Sequence, residues 1–220
     1  MAADWRTASR ESAGIAPDPA ETLEAVVQVY SARAFSWRGL LGVHTWIASK
    51  RSNAGSFFVY EVIGWRLYRN MSVVAVSERE PDQRWFGAMP EILLDIRGDH
   101  VDAIIDDIEA AVERYPYVDQ YHVWPGPNSN TFTAFVAREV PSLPLDLPPT
   151  AIGKDFLTEG VVARAPSGSG VQVSLFGMLG VMAALEEGLE INVLGLTFGV
   201  DPKDLAVKLP GIGRLSALPD

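Results

Sequence analysis

Residues 25–35 read AVVQVYSARAF and residues 41–49 read LGVHTWIAS. In both, β-branched and aromatic side chains alternate with polar or small ones, the period-two signature of a half-buried strand. The same alternation returns at 57–67 and at 71–77. The connections carry Arg38-Gly39, Ser52-Asn53-Ala54-Gly55 and Arg69-Asn70, short turn-forming sequences that set neighbouring strands antiparallel. The first half of the chain is therefore expected to be a meander of four strands.

Working outward, the period changes. Val101, Ile104, Ile105, Ile108, Val112 and Tyr115 form one apolar face at helical spacing. Gly98-Asp99 marks its start and Tyr115-Pro116 its end, because proline cannot extend a helix. The acids between them, Asp102, Asp106, Asp107, Glu109 and Glu113, read as the solvated side of that helix, and no metal site is assigned. A second helix is expected from Asn128 or Ser129 to Glu139, with Phe132, Phe135, Val136 and Val140 on its buried stripe. The proline-dense SLPLDLPPT at 142–150 ends it and leads into an ordered extended connection. The apolar, glycine-studded stretch Val171 to Val200 is interrupted by Glu186, Glu187 and Glu190, too soon for the roughly 18 apolar residues of a membrane span. It is expected to form a helix followed by a strand packed on the core, the alternative being a greasy flap near a lipid-like substrate. Taken together, the fold class is α+β, an antiparallel sheet packed against helices. The expected organisation is an irregular lead-in over 1–22, an α+β core over 23–140, and an extension over 141–220 packed on that core.

Composition narrows the function. A chain of 220 residues with 48% hydrophobic side chains has enough apolar material for a substantial core. Its formal charge of −10 repels phosphate backbones and anionic lipid alike, which sets nucleic acid aside as a partner. With no cysteine there is no disulfide, no thiolate metal site and no cysteine nucleophile, and the compartment stays open. The first twenty residues contain no apolar run of signal-peptide length. Phosphate loops, zinc spacings and calcium loops are missing, so no cofactor is implied.

Chemistry concentrates at two places. His44 lies within Val43-His44-Thr45-Trp46-Ile47, on the strand face shared with Trp46 and opposite Val43, Thr45 and Ile47. Its two readings are a catalytic base and a satisfied structural histidine. The second place is WPGPNSNTF at 124–132, a rigid turn that delivers Ser129 to a helix N-terminus, where free amides and the helix dipole stabilise an anion. The alternative is that Asn128 or Ser129 merely caps the helix. Glu61, on the adjacent strand, is the first choice to orient His44, and a buried Glu61 requires a cation, an indole N–H or His44 as partner. His122 is a reserve candidate.

The order of a strand histidine, a sheet, and an Asn-nucleophile-Asn-x-Phe turn opening a helix resembles the circularly permuted papain-like enzymes. These include the PPPDE peptidases, the lecithin:retinol acyltransferase relatives and NlpC/P60-type enzymes. Gly42-Val43-His44-Thr45 and Tyr121 through Asn128-Ser129-Asn130-Thr131-Phe132 carry that resemblance, with serine where the family has a thiol. It implies a papain-like core and a serine-dependent acyl hydrolase or acyltransferase. In it Ser129 attacks a carbonyl, His44 is base then acid, and Glu61 orients His44. Asn128, Asn130, Trp46 and Trp124 would contact the oxyanion or a small-molecule or acyl-bearing substrate. The competing expectation is an inactive member that binds a ligand or partner through the inherited cleft. More closely, the chain resembles a bacterial family known as domain of unknown function 3750. Val27 to Tyr30, Val43 to Ala48, Tyr60 to Trp65, Trp124 to Phe132, LPPTAIGK at 147–154 and LGLTFGVD at 194–201 carry that likeness. It implies a soluble part of an envelope-associated protein, in the cell envelope or periplasm with peripheral membrane association, the cytoplasm being the alternative.

Overall fold

The computed structural model describes residues 4–217, so the first three residues of the expected lead-in and the last three of the expected extension lie outside it. The described residues form two antiparallel sheets and two α-helices, a mixed helix and sheet architecture.

The first sheet contains β1 (Val26–Arg33), β2 (Val43–Lys50), β3 (Phe58–Val62), β4 (Val74–Glu78) and β5 (Glu91–Arg97), in the order β4-β3-β2-β1-β5. The first four follow one another as a meander, and β5 returns to the far edge beside β1. The four-strand expectation leaves that fifth strand out, because its alternation is masked by Leu93 and Leu94 standing side by side. The expected third strand ends early: Gly64–Arg69 is a 3-10 turn that closes with Asn70 in the left-handed region.

The helices α1 (Val101–Glu113) and α2 (Ser129–Glu139) cover one face of this sheet. Their apolar stripes meet Val27, Val29, Ile47, Tyr60 and Val62 in the main core. Strand residues one step out of phase, Val26, Tyr30, Trp46, Ala48 and Val59, form a second cluster on the opposite face, closed by Trp85 from the β4–β5 connection. Both faces are thus buried, which explains why β1 is sealed along nearly its whole length. Residues 4–22 run irregularly and are pinned to that connection: Ser12 Oγ donates to Asp82 at 2.7 Å, and the Ile15 amide donates to the other carboxylate oxygen at 2.8 Å.

The second sheet is a seven-stranded meander in sequence order. It comprises β6 (Val162–Arg164), β7 (Gly170–Leu175), β8 (Leu179–Ala184), β9 (Gly188–Val193), β10 (Leu196–Asp201), β11 (Ala206–Leu209) and β12 (Gly213–Ser216). The helix expected within 171–200 does not form. Val171, Val173 and Leu175, then Leu189, Ile191 and Val193, keep strict period two, and glycine-containing turns at 177, 188 and 195 cut the run into strand lengths.

The polarity of this sheet is reversed. Lys208, Glu190, Gln172, Asn192 and Thr197 are buried on its inner face beside Met182 and Ala206, while most of the sheet's large apolar residues are exposed on the outer one. Inside, Lys208 Nζ bonds Glu190 at 2.8 Å and Asp146 at 2.7 Å, and Lys154 bonds the other Glu190 oxygen. Burial alone would raise the Glu190 carboxyl, but Lys154 and Lys208 outweigh it and hold the group below the ordinary carboxylate range. The two sheets are tied by Arg138 Nη2, which donates to Gln172 at 2.6 Å, and by Trp124 Nε1, which donates to the Leu194 carbonyl at 2.8 Å.

Candidate functional site

The segment before α2 is ordered by side-chain amides. Asn128 accepts from the amides of Asn130 (2.9 Å) and Thr131 (3.2 Å), while the Asn128 backbone amide donates to Thr131 Oγ1 at 3.2 Å. This is a reciprocal capping box, and it occupies amides that an oxyanion would need. Asn128 Nδ2 donates to the carbonyls of Val123 and Ile152, and Asn130 Nδ2 to those of Val43 and Ile152. Asn130 Oδ1 accepts from Thr45 Oγ1 at 3.0 Å. The donors of both side chains are therefore committed to backbone. Gly153 closes the arrangement: it has φ +100°, and any side chain there would run into Asn128.

His44 sits on the other side of the sheet. Thr45, its neighbour on β2, faces α2 and bonds Thr133 Oγ1 at 2.9 Å. Because successive strand residues point to opposite faces, His44 points away from α2. Its ring stacks on Trp85 at 3.6 Å between centroids, and its Nε2 meets Glu61 Oε2 at 3.0 Å. Ser129 and His44 are thus separated by the sheet, and no hydrogen bond joins them. Among the described residues, Ser129 offers Thr45 only its carbonyl oxygen, 3.4 Å from Thr45 Oγ1. Among the sequence-derived site residues, the structure brings His44 and Glu61 together and leaves Ser129, Asn128 and Asn130 on the helix side. Trp46 is buried beside His44, its Nε1 donating to the Pro81 carbonyl at 2.7 Å, and so it packs inside the protein. Trp124, half-exposed, fastens the second sheet.

Glu61 has a second partner that sequence reasoning missed. Arg79 Nη2 lies 3.0 Å from its other oxygen. Burial would raise the Glu61 carboxyl; His44 and Arg79 together outweigh that and hold it below its ordinary value. Above this chain opens a cleft of about 290 Å3, lined by Trp65, Trp85, Phe86 and the arginines 10, 66, 79 and 84. Among the described residues that line it, Glu61 is the one carboxylate. Among the described residues, Arg10, Arg66 and Arg84 form no ion pair; Arg10 lies over the Phe86 ring at 4.5 Å. The signal for these residues was faint: the PDQRWF stretch at 81–86 lacks any periodicity, and Arg10 is about 70 residues away in sequence.

A second cleft of about 340 Å3 lies between the sheet edge and α1, lined by Ser49, Arg51, Tyr60 and Glu109 among others. Its polar groups satisfy one another: Arg51 bridges Asp106 and Glu109, and Tyr60 donates to Glu109. It offers a ligand little that is not already engaged.

No curated protein and no solved structure matches the chain. The matched family span covers the first sheet, both helices and the capped turn, and stops short of the second sheet. Residues 24–156, more than half of the 220, match the family described as protein of unknown function (DUF3750), and the chain belongs to that family.

Proposed function

We propose that the chain is a non-catalytic binding protein that takes an anionic ligand with a flat apolar part in the cleft of Trp65, Trp85 and Phe86. The observation that carries this reading is the gathering of Arg10, Arg66 and Arg84 around one cleft without acidic partners, in a chain of net charge −10. Guanidinium groups recognise carboxylate, phosphate or sulfate through paired N–H donors, and the indole and phenyl faces supply an apolar surface for stacking. Arg79 is held by Glu61 and so stiffens the floor; Arg66 spends its Nε on the Ser72 carbonyl at 2.6 Å and keeps its two terminal nitrogens, and no ion pair among the described residues engages Arg10 or Arg84.

The same proposal takes the first sheet with α1 and α2 as a permuted papain-like core working without serine chemistry. Its support is the order of a strand with His44, an antiparallel sheet, and a helix opened by Asn128-Ser129-Asn130. An acyl-transfer site requires base and nucleophile within hydrogen-bond reach, and here they stand on opposite sheet faces. A location in the cell envelope belongs to this proposal too, and rests on the sequence resemblance alone.

The test is a titration with phenyl phosphate, followed by the NMR resonances of the tryptophan indole N–H groups, with phenethylammonium as the charge-reversed control. Saturable shifts with the anion and none with the cation are expected. Equal response to both would overturn the reading. Hydrolysis of p-nitrophenyl acetate is expected to be the same for the wild type and Ser129→Ala; a serine-dependent rate would restore the acyl hydrolase.

A further inference from the structure

The outer face of the second sheet is apolar from edge to edge. Its central row pairs Val162, Val173, Val181, Ile191 and Phe198 across five strands. The flanking row from β7 to β12 contains no polar residue either, and ends at Arg164 on β6. Ile191 and Val181 are each more than half exposed. A soluble monomer rarely leaves a continuous apolar surface of this size in water. The sheet has no second way to sit, because its inner face holds the Lys154, Lys208 and Glu190 network.

We propose that this face docks on the same face of a second copy, making a two-sheet sandwich across a two-fold axis. Seven strands of three to six residues, at about 4.8 Å spacing and about 3.4 Å rise per residue, give a footprint of about 570 Å2. Two such surfaces, roughened by their side chains, remove roughly 1,200–1,600 Å2 from water, the size of a stable specific interface. Antiparallel sheets with alternating inward apolar residues pack face to face about 10 Å apart. The chain's acids lie off this surface, so the two copies meet without charge repulsion across it.

A lipid surface fits less well. The strands of up to six residues fall short of the 9–11 or so that cross a bilayer. No tryptophan or tyrosine occurs between 162 and 216 to sit at a headgroup boundary, and the charge of −10 opposes anionic lipid.

Light scattering coupled to gel filtration decides the matter. The wild-type chain is expected at twice 23.9 kDa, and Ile191→Asp, an outward-facing change, at the single mass with an unaltered circular dichroism spectrum. Ile191→Cys adds the only thiol in a cysteine-free chain and keeps the face apolar. Its reaction with a thiol reagent is expected to be slow in concentrated protein and to accelerate on dilution. A single mass for the wild type at every concentration overturns the proposal, whether or not the protein floats with phosphatidylcholine vesicles. Open-ended assembly, or a thiol rate independent of concentration, overturns it as well. Should Ile191→Asp fail to fold, the thiol rates carry the decision.

Discussion

His44 Nε2 lies 3.0 Å from Glu61 Oε2 on the sheet face opposite α2, so the histidine that would have served Ser129 is instead clamped between a carboxylate and the Trp85 ring. This changes what mutations on either side of the sheet should do.

Glu61→Ala is expected to cost about 3 kcal/mol, because it leaves Arg79 and His44 without their shared buried acceptor, and Glu61→Gln about half of that. The folded-state carboxyl is held below its ordinary value of 4.5. Its contribution is therefore present above that value and is lost as the pH falls through the lower folded one. Urea unfolding midpoints for wild type and Glu61→Gln at pH 7 and pH 3 check both magnitude and sign: the difference should shrink in acid.

Removing the cap should hurt more than removing the serine. Asn128→Ala strips two amides of their acceptor and two carbonyls of their donor, about 2–3 kcal/mol, whereas Ser129→Ala should cost less than about 1 kcal/mol. Thermal unfolding of the two variants side by side gives the comparison. A larger loss for Ser129→Ala would mean that its hydroxyl holds a contact the capping account lacks.

Gly153→Ala is expected to destabilise by about 2 kcal/mol or more, since the residue is left-handed and its new methyl would strike the Asn128 side chain. Denaturant unfolding measures the loss, and the amide exchange of Asn130 and Thr131 should rise because their acceptor is displaced.

Burial raises the Asp146 carboxyl from 3.8 to about 6 despite the nearby Lys208 ammonium. A raised folded value binds a proton that the unfolded chain releases. Its stabilisation is complete below the unfolded value of 3.8 and disappears as the pH climbs through about 6. Asp146→Asn should therefore flatten the stability profile across this interval, read as unfolding midpoints at half-unit steps.

The sequence made the first four strands and both helices legible through strong periods: two for 25–35 and 41–49, and the helical spacing of Val101 to Val112. It even placed His44 with Trp46, away from Thr45. What it lacked was the third dimension of α2. Placing Ser129 at a helix N-terminus does not say which sheet face that helix covers, and the hydrogen bonds of Thr45 set it against the face opposite His44. Glu61 was legible as a buried acid needing partners, but Arg79 as one of them was not, since the turn that folds it back has no periodic signal. The second sheet was misread for a different reason. Its run of apolar residues and glycines was expected to be buried, and a sheet that turns polar residues inward and apolar ones outward reverses the assumption on which that expectation rests.

The proposed reading puts ligand binding in the arginine and tryptophan cleft and not at Ser129. The direct test is the dissociation constant for phenyl phosphate of three proteins: wild type, Ser129→Ala and Arg84→Gln. The account predicts equal values for the first two and about ten-fold weaker binding for the third, the loss of one charge-assisted contact. Weakened binding in Ser129→Ala with Arg84→Gln unaffected would contradict it and return the site to the start of α2.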